Sequence, residues 1–135
     1  AEMEAELGPN NKYAGVLPRL AQYELTLLDW AEQHKGTRQY VAFANKCWPA
    51  WQPVFNFEPC YVNSRLTGRG IPVACEVDLY GAVSEFMAEC ASEMPATLLD
   101  INNSVPDDVI PAGANLEGAS KKDLYMLFLH EVLQD

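Results

Sequence analysis

Two stretches decide the fold of this chain, Ile71-Pro-Val-Ala-Cys-Glu76 and Ala96-Thr-Leu-Leu-Asp100-Ile101. Each is a short apolar run that reaches a carboxylate at or near its end, and an amphipathic helical stretch lies between them. Continuous apolar strands joined through a helix are typical of parallel sheets that are buried on both faces. The two acids are 100 − 76 = 24 residues apart, which is about the minimum for a strand, a crossover helix and a second strand. The sequence therefore predicts a βαβ unit in an α/β domain.

The rest of the chain continues this alternation of helices and strands. Apolar spacing predicts helices over 17–35 and 79–90, a broken helix within 50–66, strands over 40–44, 71–76 and 96–101, a long loop over 102–116, and a last helix that starts at a capping box formed by Ser120 and Asp123. We expect residues 1–135 to form a single α/β domain. Its predicted architecture is three-layer and Rossmann-like, a mostly parallel sheet with helices on both faces. The acidic residues 1–11, which end in Gly8-Pro9-Asn10-Asn11, are expected to be a disordered lead-in.

Composition limits the classes of partner. The 135 residues carry 19 acidic and 9 basic side chains, a formal net charge of −10, which argues against nucleic acid or an anionic membrane surface as a partner. The four cysteines form no Cys-x-x-Cys pair, so we expect buried thiols in a cytoplasmic protein rather than a zinc site or a disulfide framework.

Glu76 and Asp100 are the candidate site residues. Ligands of parallel α/β sheets gather at the carboxyl ends of the strands, and two unpaired carboxylates on neighbouring strands would share a proton or a cation. Acids at strand ends also cap helices, which is the alternative for both. For Asp78, the N-cap of the helix that begins at Leu79 is the favoured interpretation.

Four segments resemble the L-fucose isomerase family, which includes L-fucose and L-arabinose isomerases. They are Cys47-Trp48-Pro49, Pro59-Cys60, Gly70-Ile-Pro-Val-Ala-Cys-Glu76-Val-Asp78-Leu-Tyr-Gly81-Ala82 and Leu99-Asp100-Ile101. The resemblance covers roughly residues 16–111.

The resemblance implies an aldose-ketose isomerase that works through a metal-bound enediol. Glu76 and Asp100 match two of the three ligands of the family's manganese ion, and the same carboxylates are implicated in proton transfer between C1 and C2 of the sugar. Glu76 is the favoured base and Asp100 the favoured plain ligand. The implied partner is an aldose such as L-fucose, and the implied full-length enzyme is a homo-oligomer.

The third ligand of the family, a distant histidine, has no counterpart here. The chain contains only His34 and His130, and neither matches it; His34 is interpreted as a cation at the end of a helix. The resemblance therefore corresponds to the middle domain of such an enzyme. A non-catalytic α/β domain or assembly fragment is the alternative hypothesis.

Overall fold

The computed structural model describes residues 1–47, 49–102 and 105–129. These residues form a small α/β structure with five α-helices and four short strands. The helices are α1 Glu2–Leu7, α2 Leu17–His34, α3 Trp51–Phe55, α4 Cys60–Thr67 and α5 Leu79–Ser92. The strands are β1 Phe43–Ala44, β2 Val73–Ala74, β3 Leu99–Asn102 and β4 Met126–Leu129. No helix in these ranges is both long enough and apolar enough to cross a bilayer.

The first sheet is a short parallel pair formed by the first two predicted strands. β1 and β2 run parallel with Phe43 opposite Val73 and Ala44 opposite Ala74. The amide of Phe43 donates to the Pro72 carbonyl at 2.8 Å, and the amide of Asn45 donates to the Ala74 carbonyl at 2.9 Å. The α/β class is thus confirmed, but the parallel partner of β2 is β1 and not the strand at 96–101, which the predicted βαβ unit would place in the same sheet. Within the described residues this sheet has two strands. The three-layer arrangement that the sequence predicts would need more strands in one sheet.

The predicted C-terminal helix is wrong, because part of that segment is a strand of the second sheet. The capping box forms as predicted, with the Asp123 carboxylate accepting from the Ser120 amide at 2.7 Å and from its hydroxyl at 2.6 Å. It nevertheless starts only a single 3₁₀ turn, Lys121–Asp123, after which the chain extends into β4. β4 pairs antiparallel with β3, from Leu99 opposite Leu129 to Asn102 opposite Met126. A short apolar run fits a helix or a strand equally well, and here the pairing with β3 decides.

The main core lies between the first helices and the parallel pair. One cluster of buried apolar side chains draws on α1, α2, α4, β2 and the segment before α4, and consists of Met3, Leu17, Leu20, Phe57, Val62, Leu66 and Val73. The predicted disordered lead-in over residues 1–11 is different in the structure, because residues 2–7 form α1 and bury Met3 in this core.

Helices α2 and α5 confirm the predicted periodic segments, but α5 does not bury the face that its spacing predicts. Leu79, Val83 and Met87 are 66%, 56% and 65% exposed. All four cysteines are reduced thiols; Cys75 is buried as predicted, whereas Cys90 is exposed.

Candidate metal and catalytic site

Glu76 follows β2 at the carboxyl end of the parallel pair, as the sequence predicts, and is exposed. It has φ = 59°, and Val77 after it has φ = 60°. Two consecutive non-glycine residues in the left-handed region are uncommon, and a β-branched valine there is a genuine outlier. Each such residue costs about 1–3 kcal/mol and persists only where its surroundings hold it in place, and such residues cluster at functional sites.

Backbone hydrogen bonds on both sides hold this turn. The Val77 amide donates to the Asn45 carbonyl at 2.8 Å, and the Asp78 amide donates to the Cys75 carbonyl at 3.0 Å. Asp78 then caps α5, its carboxylate accepting from the Gly81 amide at 2.8 Å, which confirms the predicted N-cap. The backbone of Glu76 is therefore fixed between the end of β1 and the start of α5.

A network of polar side chains lies at the same edge of the sheet. The Asn45 side-chain amide donates to the Tyr23 hydroxyl at 3.1 Å and to the Asn63 side-chain oxygen at 2.9 Å. Asn63 is fully buried and donates to the Cys75 sulfur at 3.8 Å. Burial raises the pKa of Tyr23, and its hydrogen bond with Asn45 opposes that shift. The network ties the ends of β1 and β2 to α2 and α4.

Sequence reasoning missed this network. Its signal was present as polar residues next to apolar ones: Asn45 directly follows the apolar strand β1, and Asn63 lies between Val62 and Leu66 in α4. Which partners the two side chains contact depends on long-range packing.

Asp100 lies in β3, exposed, and is opposite Phe128 in the ladder with β4. β2 pairs with β1 and β3 with β4, so the strands of the two candidate acids belong to different sheets. The expectation that they are neighbours in one parallel sheet is not met within the described residues. Helix α5 joins the two positions instead.

The donor chemistry of the pair fits a hard divalent cation. Glu76 and Asp100 both present exposed carboxylates, and manganese prefers oxygen ligands of this kind. In the described ranges, no group of three or more histidine, cysteine, aspartate or glutamate side chains is arranged to hold a metal ion.

Trp51 and His34 both make structural contacts. Trp51 packs edge-on against Tyr23 at 4.8 Å between ring centroids and lies 4.5 Å from the Phe55 ring, so it belongs to an aromatic cluster. His34 stacks on Trp30 in the last turn of α2, where its Nδ1 lies 2.8 Å from the Trp30 carbonyl oxygen. Trp48, Asn103 and His130 lie outside the described residues.

Arg65 joins an ion-pair network with glutamates of α1 and α2. Its guanidinium contacts Glu24 at 2.8 Å and also pairs with Glu6, while Arg69 contacts Glu24 at 2.9 Å. Burial acts to lower the pKa of Arg65, but hydrogen bonds with Glu24 and Glu6 outweigh it and raise the pKa above its ordinary value. Burial raises the pKa of Tyr61 to about 12, helped by its hydrogen bond to Glu6. The network fastens α1 to α2 and α4.

Comparisons of the chain with protein-family models, with curated proteins and with solved structures find no match.

Proposed function

We propose that this chain is part of an aldose-ketose isomerase of the L-fucose isomerase type, and that Glu76 and Asp100 are two of the three ligands of its manganese ion. The observation that carries the proposal is the turn at Glu76 and Val77. Its two left-handed residues stand at the carboxyl end of a parallel strand, where α/β proteins bind their ligands. A valine in this conformation beside an exposed carboxylate is uncommon, and such strain clusters at functional sites, so it supports a functional role for Glu76.

The resemblance to the isomerase family names the chemistry. When bound, a divalent ion polarises the sugar's carbonyl group and makes the neighbouring carbon acid easier to deprotonate. Glu76 is proposed as the general base that moves a proton between C1 and C2, and Asp100 as a ligand. The backbone bonds from Val77 and Asp78 hold the backbone of Glu76 at the end of the strand, from which its carboxylate would reach the ion and the sugar.

The proposal includes the wider architecture that the resemblance implies. The domain would belong to a larger three-layer, Rossmann-like enzyme in the cytoplasm, a homo-oligomer whose other parts supply the histidine ligand and most of the sugar pocket. The net charge of −10 supports a cation and a neutral sugar as ligands.

Manganese binding tests the site. We expect Mn²⁺ to raise the melting temperature of the chain, because an ion that binds only the folded state at 100 times its Kd stabilises it by about 2.7 kcal/mol. Glu76→Gln should abolish the rise, whereas Glu58→Gln, which removes an exposed acid elsewhere, should keep it. A wild-type melting curve that manganese does not change would refute a two-carboxylate site in this chain.

Turnover tests the reaction itself. Incubation with L-fucose and manganese should form ketose if the chain suffices for catalysis. A chain that binds manganese through Glu76 but forms no ketose would favour the non-catalytic alternative for the isolated chain.

A further inference from the structure

Helix α5 connects the two candidate carboxylates, so whatever fixes the chain on α5 fixes their relative position. The helix starts at Leu79, just after the Glu76 turn, and the segment that follows it returns along the helix before entering β3 at Leu99. Three positions spaced four residues apart on α5, Gly81, Glu85 and Glu89, lie on one side of the helix. All three meet that returning segment.

Glu85 makes the central contact. Its side chain is buried, with the residue 3% exposed, and its Oε1 accepts a hydrogen bond from the Leu98 amide at 3.1 Å. Leu98 is the residue immediately before β3. A carboxylate is costly to bury, and the hydrogen bond from the Leu98 amide offsets part of that cost.

The two flanking positions strengthen this arrangement. At Gly81 an added Cβ would clash first with the Asp78 carboxylate that caps α5 and would lie 2.6 Å from the Leu98 Cδ2, so the absence of a side chain leaves room for both. At Glu89, burial raises the pKa of the carboxyl group, and a hydrogen bond from the Ala96 backbone opposes that shift. The segment 96–98 thus contacts α5 at both of its ends.

We propose that Glu85 is a positioning residue. By accepting the hydrogen bond from the Leu98 amide, it fixes where β3 begins relative to α5. This in turn fixes the position of the Asp100 carboxylate relative to Glu76. The importance of Asp100 rests on the proposed function. The fixing of β3 by Glu85 does not, and the two are tested separately.

Amide hydrogen exchange followed by NMR tests the fixing directly. Glu85→Leu removes the acceptor, and we expect the Leu98 amide to exchange at least tenfold faster while the Val62 amide in the main core is unchanged. Glu85→Gln keeps an acceptor oxygen and should restore the slow exchange. If Glu85→Leu fails to fold, Glu85→Asp, which keeps the charge but is one methylene shorter, should show the same loss at Leu98. Unchanged exchange at Leu98 in the folded variant would overturn the proposal.

Manganese affinity tests the consequence for Asp100. Loss of a residue that orients a metal ligand typically weakens binding 10–100-fold. We expect a loss of at least tenfold in Glu85→Leu, near wild-type affinity in Glu85→Gln, and no change in the control Glu93→Gln, which removes a charge beyond the end of α5. Equal weakening by Glu85→Leu and Glu85→Gln would point to charge rather than position and would overturn the proposal. If wild type binds no manganese, the proposed function fails, and hydrogen exchange alone decides the role of Glu85.

Discussion

Arg65 shows how one buried residue organises the first part of the chain. Its side chain is 7% exposed and that of its partner Glu24 is 6% exposed, and the two form a two-point contact at 2.8 Å and 3.3 Å. A buried ion pair adds little net stability compared with apolar residues, but removal of one partner leaves an uncompensated buried charge. The two residues therefore depend on each other.

We expect Arg65→Met to destabilise the chain by about 3 kcal/mol, the low end of the range for such losses, because Arg69 still contacts Glu24. Urea unfolding measures the change, with the exposed Arg38→Met as the control. The double variant Glu24→Met with Arg65→Met should regain much of the loss. A cost for Arg65→Met no larger than that for Arg38→Met would contradict the buried pairing.

For single residues, the sequence reveals a charge at an apolar position but not the partner that pairs with it. Glu24 lies near Leu20 and Leu27 on the apolar face of α2, where a charge signals a buried partner. That partner is 41 residues away along the chain. In the same way, the place of Glu76 after an apolar strand is enough to predict it as a candidate site residue. The left-handed turn at Glu76 and the Asn45 network depend on tertiary packing.

Among the elements, α4 and α5 invite a direct comparison. Val62 in α4 is fully buried, whereas Val83 in α5 is 56% exposed. Both are valines within helices, so the same substitution changes helix propensity equally. The two substitutions differ only in how much buried apolar surface they remove.

We expect Val62→Ala to cost about 2 kcal/mol and Val83→Ala to stay within about 0.5 kcal/mol of wild type. Thermal or urea unfolding of the two variants checks this. Similar losses of stability at both positions would mean that the apolar face of α5 is buried in the folded chain, as its periodicity predicts.

The elements also show where sequence patterns decide and where they do not. Long periodic segments, α2 and α5, were predictable because helical spacing persists over many residues. The short elements α1 and β4 were not predictable. Helix α1 depends on the burial of Met3 and on ion pairs with distant arginines. The β4 segment was predicted as a helix because a capping box does precede it, but its apolar run is too short to distinguish a helix from a strand. The sequence predicts a parallel βαβ pair between 71–76 and 96–101, whereas β2 pairs with β1 and β3 pairs with β4, because the partner of a short strand depends on tertiary packing.

For the whole molecule, stability as a function of pH combines groups with opposite effects. The hydrogen bond from Arg65 lowers the pKa of Glu6, against the opposing effect of burial. Its ionised form therefore stabilises the fold above the ordinary carboxyl pKa, and this contribution is lost as the pH falls through the folded-state pKa. Burial raises the pKa of Glu89, so its ionisation destabilises the fold as the pH rises above the ordinary value.

These signs predict opposite behaviour for two otherwise identical substitutions. At pH 7, Glu6→Gln should lower the melting temperature because it removes the charge that Arg65 binds, and Glu89→Gln should raise it because a neutral amide is less costly to bury. As the pH falls below the folded-state pKa of each group, wild type becomes neutral at that position and both differences should shrink toward zero. Melting curves of wild type and the two variants between about pH 2.5 and pH 7 measure these differences. Two results would contradict the pKa directions given for Glu6 and Glu89: melting temperatures that shift in the same direction for both variants at pH 7, or a shift that persists in acid.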